Sequence, residues 1–146
     1  MAAVIRVVGF DDLDARTAYD VWRLRQQVFV VEQASPYPDL DGRDPEPGTR
    51  HLLLTEHETL VGYLRLLDDP DAARIGRVVV ARSARGRGLA DALMVAALAE
   101  AGDRAVRLDA QVGLTGWYAG YGFVVSGQEF DEDGVRHAPM ERAART

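Results

Sequence analysis

The sequence predicts an α/β (α+β) fold in a single domain that covers residues 1–146. Short runs rich in valine, leucine and isoleucine alternate with longer segments whose apolar residues recur at helical spacing. The clearest unit is residues 74–101, where a valine-rich run, an arginine–glycine loop and a leucine–alanine segment follow one another. An apolar content of 47% over 146 residues is enough for one hydrophobic core.

Two long helices are predicted. The first begins at Asp14 or Thr17, either of which can cap it, and continues to about Val30. Its apolar side chains recur at the spacing of one helix face, and they are Val21, Leu24, Val28 and Val31. The second helix covers residues 88–101 and ends near Gly102, a residue type that commonly terminates helices.

The strands are indicated by β-branched and leucine-rich runs bounded by turn residues. They are predicted at residues 4–8, 51–55, 59–67, 75–80, 106–112 and 135–141. A hairpin turn is expected at residues 56–58, and an acidic turn ending in Asp-Gly at residues 129–134. The proline-rich segment at residues 33–48 is predicted to be a loop, and its acidic residues do not have the spacing of an EF-hand.

The composition excludes several classes of function. A net charge of −6 and a pI near 5.0 argue against non-specific nucleic-acid binding. The chain has no cysteine and three scattered histidines, so no metal site is expected. No apolar run has the length of a membrane span, and the N-terminal residues lack the plan of a signal peptide. A cytoplasmic protein without a membrane or nucleic-acid partner is expected.

A strand, a basic glycine loop and a helix start at residues 75–90 are typical of a phosphate-binding site. The first N–H groups of a helix have no intrahelical partner, and the helix dipole favours an anion there. Gly86 and Gly88 allow close approach of the backbone, while Arg85 and Arg87 add positive charge. A Walker loop is excluded because the chain has no lysine, and the three-glycine dinucleotide fingerprint is absent. The alternative is an ordinary turn with solvated arginines.

The run from Arg85 to Ala90 resembles the Gln/Arg-x-x-Gly-x-Gly/Ala motif of the GNAT superfamily of N-acetyltransferases. The resemblance implies a mixed, mostly antiparallel sheet of about six to seven strands flanked by helices. It also implies that the motif binds the pyrophosphate of acetyl-CoA beside the fourth strand. The cofactor-binding residues would then be Val78, Val79, Val80, Arg85, Gly86, Arg87, Gly88, Leu89, Ala90 and Gln111. Gln111 stands where many members carry a cofactor-contacting asparagine.

Two further segments resemble the ElaA-like branch of this superfamily, residues 24–44 and residues 130–140. The first segment would border the acceptor pocket, where acidic side chains suit a cationic amine. The implied acceptor-site residues are Glu32, Tyr37, Asp39, Asp41, His51 and His137. Both histidines have an alternative: His51 as a strand-start residue with satisfied hydrogen bonds, and His137 as a side chain packed beside the pocket.

Residues 113–125 resemble the last helix and strand of the superfamily, in which Tyr118 takes the place of a tyrosine often used as general acid. The alternative is a buried tyrosine with a satisfied hydroxyl. The general base is not evident, because many relatives carry a glutamate on or beside the fourth strand and this chain has Arg77 on that strand. The open candidates are Glu32, Asp39, Asp41, His51 and His137, acting directly or through water. The alternative is an acceptor that binds already deprotonated and needs no base.

The resemblance implies an acetyl-CoA-dependent N-acetyltransferase that moves an acetyl group to an amine by direct attack on the thioester. The alternatives are a module of the same fold that binds CoA or a partner without turnover, and a structural α/β domain. The acceptor could be a small molecule or a peptide, and a homodimer is common in the superfamily. No metal is implied.

Overall fold

The computed structural model describes residues 3–145 and contains an eight-stranded sheet with helices on both faces. The strand order is β1-β2-β3-β4-β5-β8-β6, and β7 pairs with β8 beyond the end of β6. All pairs are antiparallel except β4 with β5. The predicted fold class is therefore confirmed, with one strand more than the sequence suggested.

The elements follow the predicted order closely. The strands are β1 (Val4–Gly9), β2 (Arg50–Glu56), β3 (Thr59–Asp68), β4 (Ala73–Val80), β5 (Val106–Gln111), β6 (Val124–Val125), β7 (Phe130–Glu132) and β8 (Val135–Arg142). The helices are α1 (Ala15–Arg25), α2 (Leu89–Ala101) and α3 (Thr115–Ala119). A π-helical segment, Gln26–Glu32, continues α1. Within residues 3–145, no helix is both long and apolar enough to cross a membrane.

Two hydrophobic cores lie on opposite faces of the sheet. Successive side chains of a strand point to opposite faces, so Leu52 and Leu54 of β2 pack in the core that contains α2, whereas Leu53 packs in the core that contains α1. The α2 core holds most of the buried apolar residues, among them Leu93 and Met94, which are fully buried. The sheet is therefore held rigidly from both sides.

The structure confirms Asp14 as the cap of α1, because its Oδ1 accepts a hydrogen bond from the N–H of Thr17 at 2.7 Å. The predicted apolar face is wrong at its last position. Val31 is 66% exposed, whereas Val28 is buried. The π-helical segment adds a residue per turn, which rotates Val31 away from the face that the α-helical spacing had assigned to it.

A β-bulge interrupts β4 at the centre of the sheet. Gly76 pairs with Arg65 and Val79 with Tyr63, so β4 has one residue more than β3 between these pairs. Arg77 lies in this bulge with φ of 55°, a left-handed conformation that is costly for a residue with a side chain. Pairing of β4 with β5 is limited to Ala73–Val106 and Arg74–Arg107, so beyond the bulge the two strands are no longer paired.

The last three strands form the opposite wall of this opening. β8 pairs with β5 along its length, and the hairpin of β7 and β8 extends past the end of β5. The predicted acidic turn at residues 129–134 is partly wrong, since Phe130–Glu132 is a strand. The turn itself is confined to Asp133 and Gly134, which have φ of 51° and 82°.

Candidate active site

The opening between β4 and β5 contains a cavity of about 650 Å³. Strands β3 and β4 form one wall, β5 and the β7–β8 hairpin form the other, and the loop after the π-helical segment covers one side. Its polar lining includes Tyr37, Asp41, Arg65, Arg77, Tyr118 and His137. A pocket at the point where two central strands separate can admit ligands from both sides of the sheet.

The loop for which the sequence predicts phosphate binding, residues 82–88, is called here the phosphate-type loop. It lies at the end of β4, as predicted. A short turn of 3₁₀ helix, Arg82–Ala84, leads into Gly86 and Gly88, whose φ values of 80° and 76° require glycine-like freedom. Helix α2 begins at Leu89, and the carbonyl of Gly88 accepts the N–H of Ala92 at 3.1 Å. The N–H groups of the first helical residues are therefore free of intrahelical partners, as an anion site requires.

Both arginines of this loop are held by carboxylates. Arg85 donates two hydrogen bonds to Glu32, at 2.5 and 2.9 Å, and its Nε donates to the carbonyl of Val80 at 3.0 Å. Arg87 donates to both carboxylate oxygens of Glu56, at 2.9 and 2.6 Å. A phosphate that uses Arg85 must share this guanidinium with Glu32 or displace it.

The three valines assigned to the cofactor have different surroundings. Val78 lines the cavity. Val79 is buried, and its side chain packs in the core beneath α1, so only its backbone could contact a cofactor. At the bulge, two residues of β4, Arg77 and Val78, stand opposite the single residue Leu64 of β3. Val78 is therefore not paired in the register of β3 and β4.

Tyr118 lies on α3 beside the cavity and is 8% exposed. Its ring packs edge-on against Trp117 and Phe123, with centroids 4.9 and 6.3 Å away. Within residues 3–145, no group hydrogen-bonds to its hydroxyl. Burial raises the pKa of Tyr118 to about 12, so the phenol holds its proton at neutral pH. The alternative of a buried tyrosine with a satisfied hydroxyl is therefore not what the described residues show, and the role of Tyr118 as general acid stays a prediction.

Gln111 and His137 face each other across β5 and β8, and both line the cavity. The Nδ1 of His137 lies 2.9 Å from the carbonyl oxygen of Val135, and its ring stacks on Phe130 at 5.8 Å between centroids. Because a carbonyl can only accept, Nδ1 carries the proton and Nε2 has the free lone pair in the neutral ring.

The acidic loop residues do not present free negative charge to the cavity, contrary to the expectation from the sequence. Asp39 is 8% exposed and lies between Arg25 and Arg77, with oxygen–nitrogen distances of 2.9 and 2.8 Å. Asp41 lines the cavity but accepts hydrogen bonds from Arg65 at 2.9 and 2.6 Å. The Arg65 guanidinium lowers the pKa of Asp41 well below its usual range. These carboxylates are thus matched by buried arginines.

Tyr37 contacts the paired side chains of Asp39 and Arg77 and lines the cavity. Its hydroxyl donates to Oδ1 of Asp39 at 2.6 Å, and the guanidinium of Arg77 lies 5.5 Å from the centre of its ring. Burial raises the pKa of Tyr37. This contact orients the ring of Tyr37 along the cavity wall.

Three residues assigned to the acceptor site lie outside the cavity lining: Asp39, described above, His51 and Glu32. His51 is fully buried: its Nε2 donates to the carbonyl of Asp44 at 3.0 Å, which leaves Nδ1 to accept from the hydroxyl of Tyr63. Burial lowers the pKa of His51. This agrees with its structural alternative. Glu32 binds Arg85 of the loop after β4, and this pairing lowers the pKa of Glu32.

Sequence reasoning missed the buried arginines that shape the cavity. Arg25 is fully buried and binds Asp39 and Asp44, and Arg65 is 3% exposed and binds Asp41 and Asp44. Arg65 does carry a signal, since an arginine between two leucines of a strongly apolar strand must find a partner when it is buried. The partners are 14 to 24 residues away in the chain, beyond the reach of local pattern analysis.

Comparisons with known proteins agree with this geometry. A family model described as an acetyltransferase (GNAT) domain matches residues 13–144. A UPF0039 protein of Mycobacterium tuberculosis is 48% identical over 147 residues, covering 97% of this chain and 94% of that protein. The crystal structure of an acyl-CoA N-acyltransferase from Pseudomonas aeruginosa matches with a TM-score of 0.93 and 38% identity, covering 97% of this chain and 100% of that one.

The crystal structure of Escherichia coli ElaA also matches, with a TM-score of 0.91 and 34% identity over 97% of this chain and 99% of that one. These matches extend over nearly all of both partners, so the fold is shared along the length of the chains. The chain is therefore a member of the GNAT acetyltransferase family, in its ElaA-like branch, a family of acyltransferases.

Proposed function

We propose that the protein is an acetyl-CoA-dependent N-acetyltransferase that transfers the acetyl group directly to an amine. The observation that carries this proposal is that three features adjoin β4: the glycine–arginine loop follows its end, the opening to β5 lies beyond its last paired residue, and the cavity in this opening is lined by Val78 and Tyr118. One end of this arrangement suits a diphosphate, and the other suits the reacting groups.

The loop fits the diphosphate part of acetyl-CoA. Gly86 and Gly88 are in left-handed conformations that direct the backbone toward an anion, and the N–H groups of Leu89 and Ala90 begin the helix. Arg85 adds a guanidinium, which binds phosphate through two parallel hydrogen bonds once Glu32 is exchanged. Acetyl-CoA supplies a thioester, whose acetyl group is activated for attack by an amine.

The other residues have roles that follow from the chemistry. A backbone N–H in the bulged part of β4, among Val78 to Val80, donates to the acetyl oxygen and stabilises the negative charge that develops there. Tyr118 donates its proton to the departing sulfur, for which its raised pKa keeps it protonated. Gln111 contacts the cofactor through its amide.

The acceptor enters through the cavity on the side of the loop after the π-helical segment. Tyr37 and Asp41 line the cavity from this loop and His137 lines it from β8, and these three are the proposed acceptor contacts. Because Asp41 is already paired with Arg65, it contributes hydrogen bonding more than net charge. A small-molecule amine or a peptide amine fits a cavity of about 650 Å³.

The direct test is to incubate the protein with acetyl-CoA and a panel of amines, and to identify acetylated products by mass spectrometry. The panel contains polyamines, amino sugars, amino acids and short peptides, and reactions without protein correct for spontaneous acetylation. We expect at least one acetylated amine, formed in equal amount to free CoA. Saturable binding of acetyl-CoA with no product from any amine would contradict the proposal and favour a binding module.

A further inference from the structure

The proposed reaction needs a base that the sequence does not identify. An alkyl amine is mostly protonated near neutral pH, and the nitrogen that attacks must lose a proton. Tyr118 cannot take this role, because burial keeps its hydroxyl protonated. The assignment of a base rests on the proposed function, and its candidates are the other titratable side chains in and around the cavity.

The carboxylates of the loop are already bound by arginines in this structure. Asp39 lies between two guanidiniums, those of Arg25 and Arg77, and does not line the cavity. Asp41 is held by Arg65, which lowers its pKa, so Asp41 has little tendency to accept a proton at neutral pH. Glu32 is paired with Arg85 outside the cavity lining.

The two histidine candidates differ in which nitrogen atoms are available. In His51 both ring nitrogens are used, one toward the carbonyl of Asp44 and one toward the hydroxyl of Tyr63. In His137 only Nδ1 is used, as donor to the carbonyl of Val135 at 2.9 Å. This bond fixes the tautomer, so the lone pair of the neutral ring is on Nε2.

The position of His137 is suited to the reaction. It lines the same cavity as Tyr118, and it lies opposite Gln111 at the end of β5, where β4 and β5 have separated. Its ring is held by stacking on Phe130 and by the bond to Val135, so it cannot rotate freely. A fixed imidazole with a free nitrogen is the usual form of a general base.

We propose that Nε2 of His137 is the general base of this acetyltransferase. As the nitrogen of the acceptor forms its bond to the acetyl carbon, His137 takes the N–H proton that is lost. As the bond between that carbon and sulfur breaks, Tyr118 gives its proton to the sulfur. The products are the N-acetylated amine and free CoA, and proton exchange with solvent restores the neutral imidazole and the phenol.

Charged and titratable residues surround His137. Oε2 of Glu132, on β7, lies 4.0 Å from Nε2 of His137. Other titratable or charged residues line the same cavity from the loop, from β3 to β5, from the hairpin and from α3: Tyr37, Asp41, Arg43, Arg65, Arg74, Arg77, Asp109, Asp133 and Tyr118. Their arginines and carboxylates are largely paired with one another.

The test compares the wild-type protein with His137→Gln, which keeps the hydrogen-bonding capacity of the side chain but not its basicity. An acceptor that is already neutral over the assay range, such as an aromatic amine, makes the acidic limb of kcat/KM against pH report an enzyme group. We expect the wild-type rate to fall as pH decreases through the range where imidazoles protonate. In His137→Gln we expect kcat to fall about 10²-fold and the acidic limb to disappear.

Two further variants separate chemistry from structure. His57→Gln, in the exposed turn between β2 and β3, is the matched control and should keep the wild-type rate and pH profile. His137→Gly should regain part of its rate when free imidazole is added. Acetyl-CoA affinity should be unchanged in His137→Gln.

The outcomes distinguish the proposed acetyltransferase activity from the proposed role of His137 as its general base. A wild-type enzyme that acetylates amines, with His137→Gln equally active and its pH profile unchanged, overturns the role of His137 alone. A large loss of rate that imidazole does not restore in His137→Gly, with the acidic limb intact in His137→Gln, also overturns it and indicates a structural role. Failure of the wild-type protein to acetylate any amine overturns both proposals.

Discussion

Residues of the same type have different roles in this protein because their surroundings differ. His51 and His137 both stand on strands, but only His137 has a ring nitrogen without a hydrogen-bond partner among residues 3–145. The sequence alone left both histidines open, since it does not show which carbonyls and hydroxyls lie beside them. The proposed role of Tyr118 rests on the resemblance of its segment to the superfamily, and the structure adds that burial raises the pKa of Tyr118 to about 12.

At Tyr118 the removal of one oxygen atom tests the proposed acid. Tyr118→Phe preserves the packing against Trp117 and Phe123 but removes the hydroxyl. We expect kcat to decrease about 10²-fold with little change in acetyl-CoA affinity, because the proton is needed only as the sulfur departs. Single-turnover measurement of free thiol would check this. Equal single-turnover rates in the two proteins would exclude Tyr118 as the acid.

Strands and helices position these residues through two irregularities, a β-bulge and a π-helical segment, that local sequence patterns do not show. The bounds of β2, β3 and α2 could be predicted to within about one residue, because burial imposes regular spacing there. The bulge at Arg77 and the π-helical segment Gln26–Glu32 could not be predicted from the sequence. Both are stabilised by contacts with distant parts of the chain, the first by Asp39 and Asp41 and the second by packing on the sheet.

The ion pair between the π-helical segment and the phosphate-type loop predicts competition for Arg85. Glu32→Gln removes the carboxylate that holds this guanidinium, so the guanidinium is free to bind phosphate. Because an exposed ion pair contributes about 1 kcal/mol or less, we expect acetyl-CoA to bind up to about 5-fold more tightly.

Calorimetry would measure this effect, with Glu129→Gln as the matched control. Glu129 also pairs with an exposed arginine, Arg136, but on the β7–β8 hairpin. Weaker binding in Glu32→Gln would show that Glu32 orients Arg85 for the cofactor and does not compete with it.

A network of charges, part of it buried, connects α1, the loop and the sheet. Arg25, Arg65 and Arg77 are matched by Asp39, Asp41 and Asp44. The prolines and acidic residues of residues 33–48 predicted a loop, but not how it is held. Its three aspartates fix it over the cavity, since each of them binds an arginine of another element.

Removal of Arg25 would test this role in stability. Arg25→Met keeps much of the side-chain volume but leaves Asp39 and Asp44 buried with fewer partners. We expect a loss of about 3–5 kcal/mol in the free energy of unfolding, measured by urea denaturation. Arg136→Met is the control, because its ion pairs are exposed and should contribute at most about 1 kcal/mol. Similar losses in the two variants would contradict a structural role for the network.

The central claim is that the loop from Arg85 to Ala90 binds the diphosphate of acetyl-CoA beside the separated strands. The measurement that tests it most directly is calorimetric titration of acetyl-CoA into the wild-type protein and into Arg85→Ala, with Arg136→Ala as the control. We predict saturable binding to the wild-type protein and to the control, and binding weaker by roughly tenfold or more in Arg85→Ala, because a charge-assisted contact to phosphate is lost. Absence of binding to the wild-type protein, or equal affinity in Arg85→Ala, would contradict the account.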